Sequence, residues 1–248
     1  MKSYIKDIAY YLPEKVLTNE ELAAEFGGWS SEKIEQKLGI RERRLAGENE
    51  TALDLAEKAA VKLLEKHPVE DIDFLLFCTE SPDYFIPPNA PILQKRLRLR
   101  EDIGAFDYNL ACSGFVYGLA VAKGLIAAGI AQNILLITSE TYTRHIHQKD
   151  KSNRTIFGDA AAASLICSSD NHGIGEFSLG TDGTGYKELI VHNGGLRNPF
   201  DASAELTEYI EGSYRTNNNL YMNGPEIFNF TIKAVPPLVQ DVLSKFLY

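Results

Sequence analysis

The chain has 248 residues, a formal net charge of −9, and 44% hydrophobic and 24% charged residues. That is ordinary globular composition, with apolar material for one large domain or two modest ones. An acidic balance of this size argues against a general nucleic-acid binder, which needs a basic surface against phosphates. It still permits a local basic patch for an anionic substrate.

The first residues carry charges between their apolar positions and have no small-residue cleavage site, so residues 3–11 read as a strand rather than a signal peptide. Thr18 followed by Glu21 is a capping box that opens a short helix. Ser30 or Ser31 caps a second helix, which ends near Gly39. Thr51 with Asp54 is another capping box. In the helix behind it, Ala52, Leu55, Ala56, Ala59, Ala60, Leu63 and Leu64 recur on one face at spacings of three and four. Residues 74–79 form a continuous apolar run, the mark of a strand buried on both faces. A helix is predicted over 89–97, a strand over 103–109, a helix over 112–128, and strands over 133–139 and 160–167.

The apolar stretch 113–131 contains Lys123 and several glycines, so it reads as a buried helix and not as a membrane span. Strands alternating with helices imply an α/β protein with helices on both sheet faces. Past Ser168 the texture changes to short strands between glycine-rich turns. A helix over 225–246 then carries Pro236 and Pro237 and should kink there. A boundary is expected near 170, giving segments 1–170 and 171–248.

Three cysteines, Cys78, Cys112 and Cys167, lie far apart with no metal-like spacing, which predicts reduced thiols in a cytoplasmic protein. Cys112 carries the chemical signal. It follows a predicted strand and starts an apolar helix, where unpaired N–H groups and the helix dipole favour the nucleophilic thiolate. A backbone N–H at the same turn could also bind a thioester oxyanion. The competing reading is a buried cysteine that only packs. His145 and His147 lack a further ligand at a known spacing, so no metal site is expected. Arg41, Arg43 and Arg44 fit either a charged strand edge or a phosphate contact. The run Lys95, Arg96, Arg98, Arg100 reads as a solvated helix face.

Five stretches, in this order, resemble the β-ketoacyl-acyl-carrier-protein synthase III family. They are Leu38-Gly39-Ile40-Arg41-Glu42-Arg43, Pro82-Asp83-Tyr84-Phe85-Ile86-Pro87-Pro88, Ala111-Cys112-Ser113-Gly114-Phe115, Phe157-Gly158-Asp159-Ala160-Ala161 and Met222-Asn223-Gly224. Thiolase and hydroxymethylglutaryl synthase relatives share the fold, but the Ala-Cys-Ser-Gly-Phe context looks more like the synthase III group.

The resemblance implies a thiolase-like α/β fold, layered α-β-α-β-α from two similar halves, of which 1–170 would be the first and 171–248 an incomplete second. It implies a two-step reaction. An acyl group passes from coenzyme A to Cys112, and malonyl-acyl carrier protein then condenses with it as carbon dioxide leaves. Coenzyme A enters as substrate, and no metal or redox cofactor is implied. A specialised acyltransferase or ketosynthase of secondary metabolism, or a non-catalytic fragment or partner subunit, would share the fold.

By resemblance, Phe157, Met222, Gly224 and Phe228 line the pantetheine tunnel. Lys37 is a further substrate-binding residue, and Lys151 lies over the nucleotide, where the family usually has arginine. Lys33 stands where many members have a tryptophan that stacks on adenine, and Trp29 lies close by but out of register. Ile86 falls where many members place a phenylalanine that reaches across a homodimer into the acyl pocket. The helix after Cys112 would be one of a central buried pair, with Gly114, Gly118 and Ala122 permitting close approach. The family also uses a histidine in a His-Gln-Ala-Asn motif and a second asparagine. No such motif occurs in these 248 residues, whose last histidine is His192. The chain as written is therefore expected not to complete the condensation.

Overall fold

The computed structural model describes residues 2–171 and 173–246. In chain order its elements are β1 (Lys2–Tyr11), β2 (Lys15–Thr18), α1 (Asn19–Phe26), α2 (Ser31–Leu38), β3 (Glu42–Leu45), α3 (Ala52–Leu64), β4 (Phe74–Cys78), α4 (Asn89–Arg96), β5 (Gly104–Tyr108), α5 (Gly114–Ala127), β6 (Asn133–Glu140), α6 (Lys151–Arg154), β7 (Ala160–Ser169), β8 (Leu189–Val191), β9 (Thr207–Ile210), β10 (Ser213–Arg215), β11 (Leu220–Met222) and α7 (Gly224–Phe246). These group into two compact units. One holds the chain up to Leu17, Arg43–Tyr142 and Gly158–Ile174; the other holds Thr18–Glu42, Thr143–Phe157 and Gly175 onward.

The first unit is built on a mixed sheet in the order β1-β7-β6-β4-β5. Its centre is parallel. Phe74 to Cys78 of β4 register against Gly104 to Tyr108 of β5 on one side and Ile134 to Thr138 of β6 on the other. Strand β7 runs antiparallel to both β6 and β1. The period-two alternation of a strand divides β4 between two cores. Leu75 and Phe77 pack with Leu55, Ala59 and Leu63 of α3 and Leu93 of α4. Leu76 packs with Ala122 and Ile126 of α5 and with Ile134 and Leu136 of β6. Both faces are covered, which is why the sequence of β4 is apolar without a break. Each such fully buried Leu, Ile or Phe contributes about 1.5–3 kcal/mol relative to exposure.

The predicted helices start within a residue of where the sequence places them, except α5. Thr18 with Glu21 and Thr51 with Asp54 form reciprocal capping boxes, and the Ser30 side chain caps α2. Helix α4 has no side-chain cap from Pro88. Asp107 on β5 supplies it, accepting from the N–H groups of Asn89 and Ala90 at 2.6 Å each. Helix α5 begins at Gly114, two residues later than expected, because Ala111–Ser113 form a turn closed by Gly114 N–H donating to Ala111 O at 2.8 Å. Its small residues face the sheet rather than a second helix. A Cβ on Gly118 would stand 2.2 Å from the Tyr108 hydroxyl and 2.7 Å from Leu136 Cδ1.

In the second unit α1 and α2 lie against each other, and β9 pairs with β10 and β8 with β11. The buried Asp150 caps α6, accepting from Asn153 N–H at 3.0 Å and from the Tyr209 hydroxyl at 2.5 Å. Helix α7 continues through Pro236 and Pro237, where the sequence predicts a kink, and leaves Phe228, Ile232 and Leu243 exposed. Among the described residues no helix is long and apolar enough to cross a membrane.

Candidate active site

The three parallel strands end along one edge, and the residues just past them converge. Thr79 N–H donates to Tyr108 O at 3.2 Å, which joins the exit of β4 to that of β5. The Cys78 thiol donates to Leu110 O at 2.9 Å, and the Tyr108 hydroxyl donates to Gly114 O at 2.9 Å. These bonds hold the 109–113 turn from beneath, at both of its ends. Burial pushes the Cys78 thiol up, so it stays a neutral donor to this carbonyl. A Cβ on Gly114 would lie 2.3 Å from Cys78 Sγ, so the start of α5 rests directly on β4.

Cys112 sits on this turn and is exposed, whereas Cys78 and Cys167 are buried. The reading of Cys112 as a cysteine that merely packs is thereby set aside. The turn delivers it to the N-terminus of a fourteen-residue helix, where first-turn N–H groups lack helical partners and the dipole favours an anion.

Two carboxylates that sequence reasoning passed over stand at the same edge. Glu140, at the end of β6, accepts from Glu80 N–H at 2.7 Å and from the Ser81 hydroxyl at 2.7 Å. Burial raises its pKa to about 7, against the pull of those two hydrogen bonds. Burial also raises Glu80. Nearby, burial raises the Tyr142 hydroxyl, and the charges of Glu80, Cys112 and Glu140 push it further. No spacing in the sequence marks this group, because the parallel register of β4 and β6 joins residues sixty positions apart.

Asp159 has a structural part. Its N–H donates to Arg44 O at 2.8 Å, and its buried carboxylate accepts from Ala46 N–H at 2.8 Å. Arg43 is buried, so it does not belong to an exposed edge, while Arg41 is exposed and paired with Glu35 at 2.7 Å. Arg96 pairs with Asp54 and Glu57, as a solvated helix face would. His145 lies in a short 3₁₀ turn, and among the described residues no cluster of three metal-ligating side chains occurs. Ile86 is 86% exposed, beside Phe85 at 83%, and belongs to this first unit with Cys112.

The other expected residues belong to the second unit. There Lys151 Nζ lies 4.6 Å from the centre of the Trp29 ring and donates to Gly27 O at 3.0 Å, and Lys37 Nζ lies 5.7 Å from the same ring. Gly27 and Gly28 adopt φ of +63° and +69°, a conformation that L side chains rarely reach, and they turn the chain so that Trp29 meets Lys151. The aromatic platform beside the two lysines is therefore Trp29. Lys33, which by resemblance stands where many members have the stacking tryptophan, contributes its backbone N–H to the Ser30 cap. Met222 ends β11, and Gly224 and Phe228 open α7; this junction is held by Asn223, which donates from N–H to Glu188 O at 2.8 Å and from Nδ2 to Glu188 Oε2 at 2.7 Å. Phe157 is half-buried, and Phe228 is 64% exposed.

The model of the 3-oxoacyl-[acyl-carrier-protein (ACP)] synthase III family matches residues 106–183, which contain the Cys112 turn. The β-ketoacyl-[acyl-carrier-protein] synthase III of Caldanaerobacter subterraneus subsp. tengcongensis is 37% identical over 238 residues, covering 95% of this chain and 69% of that protein. The enzyme of the same name from Xylella fastidiosa is 38% identical over 236 residues, covering 94% and 68%. A crystal structure of a 3-oxoacyl-(acyl-carrier-protein) synthase III superposes with a TM-score of 0.96 at 45% identity, covering 98% of this chain and 74% of that one. The priming β-ketosynthase of the R1128 polyketide biosynthetic pathway superposes at 0.78 with 26% identity, covering 96% and 68%. The thiolase-like fold implied by the sequence is the fold of the chain.

Proposed function

The chain belongs to the β-ketoacyl-acyl-carrier-protein synthase III family, and from that premise we propose that it forms 3-oxoacyl thioesters by way of an acyl group carried on Cys112. The observation that carries this reading is one exposed cysteine, on a turn anchored from below, at the N-terminus of a long helix. In the first step Cys112 Sγ attacks the carbonyl carbon of an acyl-coenzyme A, and the coenzyme A thiolate leaves with a proton. In the second, malonyl-acyl carrier protein loses carbon dioxide, and its carbanion displaces the cysteine. No metal or redox group takes part, and the protein works in the cytoplasm.

Lys151 and Lys37 are the cations for the nucleotide phosphates, and Trp29 is the ring for the base. Met222, Gly224, Phe157 and Phe228 flank the pantetheine arm, with Lys33 near the nucleotide end. Residues 1–170 and 171–248 are the two similar segments of the fold. A homodimer forms along β5, an edge strand whose Phe106 is exposed together with Phe85 and Ile86.

A specialised ketosynthase of secondary metabolism is the second reading, supported by likeness to the R1128 priming enzyme. The 248 residues lack the His-Gln-Ala-Asn motif, so this chain alone should perform the first step and not the second. The test is exchange of labelled coenzyme A into acetyl-coenzyme A, which needs only acyl transfer to and from the cysteine. Exchange that disappears in Cys112→Ser supports the proposal. Exchange that survives the substitution rules it out.

A further inference from the structure

Arg215 ends β10, and its guanidinium is held by rings rather than by a carboxylate. Its Cζ lies 4.3 Å from the centre of the Tyr209 ring on β9 and 3.9 Å from that of the Tyr221 ring on β11. The two rings stand at 76° with their centres 6.5 Å apart, so the cation fills the corner between them. Both rings are braced. The Tyr209 hydroxyl donates to the buried Asp150 at 2.5 Å, and His192 stacks on Tyr221 at 6.5 Å. Ring contacts of this kind fix a guanidinium without using its N–H donors. Among the described residues no hydrogen bond or ion pair reaches those donors. Asp150 acts on Arg215 by charge alone. Its oxygens are committed to Asn153 N–H at 3.0 Å, Asn153 Nδ2 at 2.8 Å and the Tyr209 hydroxyl. Burial draws Arg215 below the usual arginine range, yet an arginine keeps its charge in a protein. A fixed, partly desolvated guanidinium with its planar donors unused matches the geometry of a carboxylate.

Arg215 opens on a cavity of about 410 Å³, whose other walls include Asp201, Ser203, Glu205 and Thr216. The volume falls within the range of small-molecule sites, roughly 300–1,000 Å³. Its walls are tied together. Asn218 donates from Nδ2 to Asp201 O at 2.7 Å and accepts on Oδ1 from Asp201 N–H at 3.2 Å. The Asn218 N–H donates to Thr216 Oγ1 at 3.1 Å. Asp201 Oδ1 accepts from the Ser203 N–H at 2.9 Å and the Ser203 hydroxyl at 2.6 Å. These bonds keep Asp201 in its own turn, and among the described residues neither it nor Glu205 forms an ion pair with Arg215. One cavity thus holds a cation and two carboxylates that do not neutralise one another.

We infer that this cavity binds a small zwitterion of the α-amino acid type, its carboxylate on Arg215 and its ammonium toward Asp201 and Glu205. A bare anion such as phosphate would face two wall carboxylates of its own sign, and an amine without a carboxylate would face Arg215. A zwitterion offers each wall the opposite charge. The site lies wholly within the second unit and does not depend on the chemistry of Cys112.

The experiment titrates the free L-amino acids singly into the 248-residue chain and follows the Arg215 Nε–H signal by ¹H–¹⁵N nuclear magnetic resonance. That signal is assigned by its loss in Arg215→Met. Each amino acid that binds is tested again as its N-acetyl derivative, which lacks the ammonium, and as its methyl ester, which lacks the carboxylate. Inorganic phosphate is titrated alongside. At least one amino acid should shift the signal to saturation, with both derivatives and phosphate weaker by at least about tenfold. Arg215→Met, read from the backbone amides of 201–205, should weaken that binding by at least as much. A second variant keeps the test decisive where loss of Arg215 unfolds the corner. Asp201→Asn combined with Glu205→Gln retains an oxygen acceptor for Ser203 and should lower the affinity for the amino acid to that for its N-acetyl derivative. The inference is overturned by the absence of a saturable shift with every amino acid, or by phosphate or an N-acetyl derivative binding as tightly as the free amino acid. Full binding by folded Arg215→Met, or by the double variant, would overturn it equally.

Discussion

Gly118 is the point at which α5 comes closest to the sheet, and replacing it with alanine tests how the Cys112 turn is seated. The added Cβ would meet the Tyr108 hydroxyl at 2.2 Å and Leu136 Cδ1 at 2.7 Å. Leu136 is buried in the sheet, and Tyr108 is tied by its hydroxyl to Gly114 O. Neither can move without opening the core. Overpacking of this kind costs about 1–3 kcal/mol, and losing the Tyr108 hydrogen bond adds about 1 kcal/mol.

Gly124 lies on the same helix with nothing within 4 Å of an added Cβ, so Gly124→Ala receives only the helix-propensity gain of about 1 kcal/mol. Both variants share that gain, which cancels between them. The difference in stability should then be roughly 2–4 kcal/mol. Urea titration followed by far-ultraviolet circular dichroism should separate their midpoints by roughly 0.7–4 M, given slopes of about 1–3 kcal/mol per molar. A Gly118→Ala chain as stable as Gly124→Ala would refute the close approach of α5 to β5 and β6.

Three further outcomes are expected. Lys151→Ala should weaken binding of coenzyme A, read from the fluorescence of Trp29, by roughly tenfold, which is about 1.4 kcal/mol; equal loss with carrier-protein donors would show that the lysine does not serve the nucleotide. Glu140, raised from 4.5 to about 7 by burial, binds its proton more tightly folded than unfolded, so its contribution is fully present below pH 4.5 and is lost as pH rises to about 7; Glu140→Gln should flatten the fall in denaturation midpoint over that window, and an unchanged slope would count against the burial. Static light scattering should give twice the chain mass with an interface of more than about 2,000 Å², and a concentration-independent monomer would contradict the homodimer.

Much of the fold was legible because its signals are local. The apolar run of β4, the capping boxes at Thr18 and Thr51, and the three-and-four spacing of α3 each arise within a few residues. The start of α5 was read two residues early, since Ser113 has helical backbone angles and the turn before it is closed by one hydrogen bond that no residue type announces. The Asp107 cap on α4 and the Glu80–Glu140 pair come from strand register, so nothing near either residue in sequence points to its partner. Trp29 shows a different limit. The family resemblance puts Lys33 where many members have a stacking tryptophan, with Trp29 out of register. Two glycines with left-handed φ instead turn the chain before α2 and bring Trp29 to Lys151. Cys112 was found because strand, turn and helix lie next to each other in sequence, and its exposure then separated it from the two buried cysteines.

The acyl acceptor itself is best tested by peptide mapping. The 248-residue chain is mixed with acetyl-coenzyme A, quenched in acid to preserve thioesters and digested, and the acetyl group is located by tandem mass spectrometry. One thioester on the peptide that contains Cys112, absent from Cys112→Ser, is the expected result. An acetyl group on Cys78 or Cys167, or a thioester that persists in Cys112→Ser, would contradict it.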